Sequence, residues 1–118
     1  MNHPAPALRS LILSGPQLRG LRAALLEAIT AEIFATDELP LARSLRQGLA
    51  ELEEAVGSVG DLDSLGILFP TEYSRVAIAA VEHVQATVLP FETPMRVHLD
   101  QAELESLKRM LEANNGRG

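Results

Sequence analysis

The sequence predicts a mainly α protein: a single small bundle of four to five helices with at most a minor two-stranded β element. Three observations carry this reading. Apolar residues recur at steps of three and four along much of the 118-residue chain, the spacing of one helix face. The hydrophobic fraction is 47% while aromatics supply only 3%, so the core must be built from Leu, Val, Ile and Ala, which favour packed helices over a sheet. Helix-start signals stand in front of the leading apolar stretches, and the length suits one domain with a modest core.

The first helix is the best specified. Ser14 is a preferred N-cap, Gln17 stands where a capping box needs it, and Pro16 falls in the first turn, where a missing N–H is harmless. Leu13 and Leu18 are placed for a hydrophobic staple. Leu18, Leu21, Leu25, Ala28 and Ile29 then share one face, and the helix is expected to run as far as Phe34. Arg19 and Arg22 fall off that face and are expected to meet solvent.

Thr36-Asp37-Glu38 offers a second cap, with Pro40 in the turn that follows. Leu41, Leu45, Leu49, Leu52 and Val56 make the next helix amphipathic, and Gly57 ends it. Its charges run against the helix dipole, with Arg43 and Arg46 near the start and Glu51, Glu53 and Glu54 near the end. Residues 57–66 read as a flexible acidic connection, and Ile67-Leu68-Phe69-Pro70 as a short apolar lead into a third helix capped by Thr71. That helix, from about Glu72 to Val88, carries the broadest apolar stripe and is expected to be the most buried.

Pro90 and Pro94 predict an extended connection over residues 89–94. Leu8–Leu13 and Met95–Leu99 are both strand-like, and either pair as a ribbon or serve as plain leads into capped helices. The second option is the expectation. Leu99, Asp100, Glu103, Leu104, Leu107 and Leu111 repeat the grammar of the first helix start, read as a common capping solution rather than an internal repeat. Residues 1–7 and 115–118 are expected to be disordered.

Charge sharpens the functional reading. The net value is -6, and residues 51–74 hold six acidic groups without a single Lys or Arg. Only scattered arginines face phosphate, so nucleic-acid binding is not expected. No apolar run reaches membrane-spanning length, no signal-like start is present, and cysteine is absent, which together suggest a cytoplasmic protein. Asp61 and Asp63 lack the further oxygen ligands of a calcium loop. His3, His83 and His98 share no metal-ligand spacing. Neither a phosphate-binding loop nor a nucleophile elbow appears, so the expectation is no enzyme, no metal and no cofactor.

Leu13-Ser14-Gly15-Pro16-Gln17-Leu18, with Leu21, Ala24-Leu25-Leu26 and Ala28, resembles the opening helix of the bacterial effector-associated domains of the first type. Arg46, Gly48-Leu49, Ala55-Val56 and Gly60-Asp61-Leu62 give a looser similarity to the next segment. These domains are death-domain-like adaptors of bacterial conflict systems. The resemblance implies a helical bundle that pairs homotypically and gathers effector enzymes, such as proteases or nucleotide-dependent switches, into one assembly.

The charge pattern adds candidate contact residues: Arg19 and Arg22 as a basic patch, with Glu51, Glu54, Asp61 and Asp63 as an acidic one. Complementary patches of this kind allow head-to-tail association with a copy or a relative. The expected function is thus a non-catalytic protein–protein interaction module. The alternative is a small regulatory or antitoxin-like helical protein bound to a specific partner.

Overall fold

The computed structural model describes residues 8–57 and 65–114. The expected disorder at residues 1–7 and 115–118, and most of the acidic connection, including Asp61 and Asp63, lie outside the described residues. The order of elements is β1 (Leu8–Leu13), α1 (Gly15–Thr30), α2 (Leu39–Val56), β2 (Leu65–Pro70), α3 (Thr71–Thr87), α4 (Thr93–Val97) and α5 (Gln101–Asn114). This is the mainly helical bundle with a small two-stranded element that the composition predicts.

The helix starts are local codes that the fold keeps. Ser14 Oγ accepts the Gln17 N–H, and Gln17 Oε1 accepts the Ser14 N–H at 2.8 Å. Asp100 and Glu103 repeat the reciprocal pair, each bond 2.8 Å long. Each box satisfies donors that a helix start leaves free. The second expected cap does not form. Glu38 occupies the cap position of α2 without a side-chain cap bond, and Pro40 sits in the first turn. Thr71 is the first residue of α3 rather than its cap, which is Pro70.

α1 is shorter than its apolar pattern suggests. Its last turn closes on Glu27 and Ile29 carbonyls, and Glu32 adopts φ 59°, a left-handed conformation that turns the chain away before Phe34. α2 ends as read, on Gly57 at φ 84°, where a side chain would be strained.

α1, not α3, is the central helix. It packs against α2, α3, α4 and β1, and eight of its residues are buried against six in α3. Ala23, off the narrow leucine face, is buried as well, because helices flank α1 on more than one side. Gly20 allows the closest approach. A Cβ there would stand 2.5 Å from Leu99 Cγ and 3.0 Å from the Val97 carbonyl oxygen, so only glycine lets α1 press against the turn that leads into α5. α3 and α5 are joined by a buried polar bond, Asn114 Nδ2 donating to Ser74 Oγ at 2.9 Å.

The strand expectation needs correcting at both ends. Leu8–Leu13 is a strand, but its antiparallel partner is Leu65–Pro70, in a register from Leu8↔Pro70 to Leu13↔Leu65. Leu11, Leu13 and Phe69 are buried beneath this ribbon, and Ile12 stands outward, 59% exposed. Met95–Leu99 is not a strand and residues 89–94 are not extended. The Glu92 N–H closes a turn on the Leu89 carbonyl at 2.8 Å, and α4 follows with Pro94 in its first turn. The fixed φ and missing N–H of proline suit that position as well as they suit an extended chain. His98, at φ 64°, then reverses the direction into α5.

Candidate interaction surfaces

Among the described residues, the arginines of α1 and the acid-rich end of α2 do not stand apart. The acid-rich end of α2 lies beside α1, and Arg22 Nε forms an ion pair with Glu53 Oε2. The side chains of this pair are 26% and 17% exposed, so Arg22 is half-buried rather than solvent-facing. Arg19 is also half-buried. Glu51 is exposed and accepts from Gln47 Nε2 at 3.0 Å, and Glu54 is exposed nearby. Arg22, Gln47, Glu51, Glu53 and Glu54 line one shallow cleft of about 290 Å³. Of the charges that oppose the dipole of α2, Glu53 serves the α1–α2 contact.

The turn after α4 reaches the same seam. Partial burial, followed by the nearby Arg19 and Arg22 guanidinium groups, lowers the His98 pKa below its ordinary value, while Glu53 partly offsets them. A second ion pair, Arg96 Nη2 to Glu27 Oε1 at 2.6 Å, ties α4 to α1. Such partly exposed pairs contribute on the order of 0–1 kcal/mol each. They orient elements more than they stabilise them.

A different surface is apolar. Leu89, Phe91 and Met95 are 53%, 74% and 79% exposed and form an elbow between α3 and α4. The elbow is structured: the Glu92–Leu89 turn closes it, and buried Thr93 donates its hydroxyl to the Pro90 carbonyl at 3.1 Å. Sequence reasoning passed over these residues as a connection. The available signal was an aromatic in an aromatic-poor chain, set between two prolines.

The third surface is a groove of about 260 Å³ between α2, β2 and the start of α3. Leu45, Leu49, Leu52, Ile67, Phe69 and Tyr73 supply its apolar lining. The Tyr73 ring meets Phe69 edge to face at 6.2 Å, and its hydroxyl shares a hydrogen bond with Ser44 Oγ at 3.1 Å. Gly48 lies in the groove wall, and a Cβ there would meet no described residue within 4 Å. Glycine inside a helix costs roughly 1 kcal/mol relative to alanine, and no packing among the described residues requires it here.

Another cleft, about 320 Å³, lies at the starts of α2 and α3 and is lined by Asp37, Glu38, Glu72 and Arg75 over Leu41 and Val76. Acids at helix starts complement the dipoles, which accounts for them.

No family model, curated protein or solved structure matches the chain. Among the described residues no group of three or more His, Cys, Asp or Glu is placed to hold a metal ion. No described helix is long and apolar enough to cross a membrane. Three surfaces of the described residues bear on a partner: a charge seam largely satisfied within one chain, an apolar knob, and an apolar groove.

Proposed function

We propose that this protein is a non-catalytic protein–protein interaction module that pairs with copies of itself or a relative, in the manner of a death-like adaptor of a bacterial conflict system. The observation that carries the proposal is the elbow. Large apolar side chains held outward on a closed turn are favourable contact residues, because burying them removes apolar surface from water while little backbone freedom remains to be lost on binding. The resemblance of residues 13–28 to adaptor domains points the same way. In this reading the charged residues set orientation: Arg22 is engaged by Glu53, which leaves Arg19, Glu51 and Glu54 to face a partner.

Light scattering across concentration, at low and high salt, tests the proposal. Association through the elbow grows with concentration, resists salt and disappears in a Phe91→Ser/Met95→Ser variant, because apolar contacts are not screened. Salt-sensitive association that survives in this variant and is lost on Arg19→Glu would transfer the contact to the charged faces. A wild-type chain that stays monomeric throughout would overturn homotypic pairing and favour the regulatory, antitoxin-like alternative, in which the partner is a different protein.

A further inference from the structure

We infer that the elbow binds the elbow of a second copy of this chain across a two-fold axis, with Phe91 of each copy against Met95 of the other and Glu92 of each against Arg96 of the other. The inference rests on the module reading and deepens it: the partner is an identical copy, and the contact closes as a dimer.

Spacing carries the argument. Glu92 and Arg96 stand one helical turn apart, closed by the Arg96 N–H on the Glu92 carbonyl at 3.1 Å. Phe91 and Met95, 74% and 79% exposed, have the same four-residue spacing and precede them by one position. The segment thus presents an apolar row and a charged row side by side. A two-fold axis lays it antiparallel on its own copy, so the first member of each row meets the second member of the other copy's row. Both meetings are complementary. The Met95 thioether gains from an aromatic ring beside it, and a carboxylate meets a guanidinium. A parallel arrangement would instead set Glu92 against Glu92 and Arg96 against Arg96.

The charged row is poised for such a partner. Glu92 is half-exposed and enters no ion pair among the described residues. The Arg96 side chain is 46% exposed while its Nη2 holds Glu27 at 2.6 Å. That bond orients the guanidinium, which has further N–H groups to donate.

Place and area agree with a second elbow as the occupant. β2 leads directly into one end of α3 and the elbow leaves the other, about 25 Å away along the helix axis, so the contact is independent of the groove beside β2. Leu89, Phe91 and Met95 together expose on the order of 400 Å². Two elbows face to face remove about 800 Å² of this surface from water, short of the roughly 1,200 Å² of the smallest stable complexes. The Glu92–Arg96 pairs at the rim complete the contact and fix its direction, and the dimer is weak and reversible.

Sedimentation equilibrium of the full chain at low salt, with charge reversals, tests the inference. The wild type forms dimers and nothing larger. Glu92→Arg and Arg96→Glu each weaken dimerisation roughly tenfold or more, because symmetry sets every repulsion twice. Mixed in equal amounts, the two single variants pair with each other about as tightly as the wild type, since each supplies the charge that the other now needs. Glu92→Arg/Arg96→Glu pairs with itself as the wild type does. Glu92 makes no side-chain cap bond and Arg96 lies at the surface, so the variants keep the fold, which circular dichroism checks.

A wild type that stays monomeric at every concentration would overturn the pairing reading and this inference together. Dimers that persist in Phe91→Ser/Met95→Ser would overturn the elbow in both. Dimers that need Phe91 and Met95 but survive either charge reversal, or single variants that fail to recover on mixing, would overturn the two-fold geometry alone. Elbow-dependent assembly beyond the dimer would overturn closure.

Discussion

Replacing Gly20 and Gly48 by alanine, one at a time, tests the packing with a single chemical change made in two places. Each glycine lies inside a helix, so each substitution removes roughly 1 kcal/mol of propensity penalty. At Gly48 no described residue stands within 4 Å of the new methyl, and the gain survives intact. At Gly20 the methyl would lie 2.5 Å from Leu99 Cγ and 3.0 Å from the Val97 carbonyl oxygen, where ordinary carbon contacts need about 3.5–4.0 Å. Leu99 is 1% exposed and Val97 0%, so neither has space to retreat into. Overpacking of this kind costs about 1–3 kcal/mol, and the involvement of a backbone carbonyl places it in the upper half of that range. The net change at Gly20 is therefore a loss of about 1–2 kcal/mol. Thermal denaturation followed by circular dichroism should show Gly48→Ala melting about 3–4 °C above the wild type and Gly20→Ala about 4–8 °C below it. A Gly20→Ala protein as stable as the wild type would refute the close contact between α1 and the turn before α5.

Other outcomes follow from the same geometry. Ser74→Ala removes the acceptor of the buried Asn114 amide and should destabilise by about 1–3 kcal/mol in urea titration; Ser74→Ala/Asn114→Leu should recover part of that loss. In an NMR titration, His98 should ionise below the ordinary histidine value, and Arg19→Ala should move it upward but not fully back, because burial is the larger cause. The lowered pKa means that the unfolded chain binds this proton more readily. The His98 contribution should therefore reduce stability as pH falls below about 6.5 and level off below the folded-state pKa.

What could be read from the sequence was what neighbouring residues decide among themselves. Ser14 with Gln17, and Asp100 with Glu103, specify helix starts within four residues, and both boxes form. The strand character of Leu8–Leu13 was also visible, but its partner is more than fifty residues away, and nothing local distinguishes Leu65–Pro70 from a plain lead. Met95–Leu99 alternates as well as any strand, yet Pro94 served the first turn of α4 instead. Burial of α1 over α3 depended on which elements surround each helix, which a stripe of apolar residues does not state. The same holds for Arg22: its place off the leucine face was correct, and only the fold brings Glu53 to it. Phe91 escaped notice because an exposed aromatic becomes conspicuous only beside the packing it does not join.

The β1–β2 ribbon has a kinetic consequence. Its paired residues are 52 positions apart at Leu13–Leu65 and 62 apart at Leu8–Pro70. Zipping it from an open chain would mean closing a loop at an entropic cost of roughly 3–4 kcal/mol before the first strand bond forms. Docking of α1 on α2 shortens that search by carrying both strands toward each other. A protein built almost wholly of fast-forming helices thus contains a long-range strand pairing, and its refolding should lag behind that of a purely helical bundle of the same size.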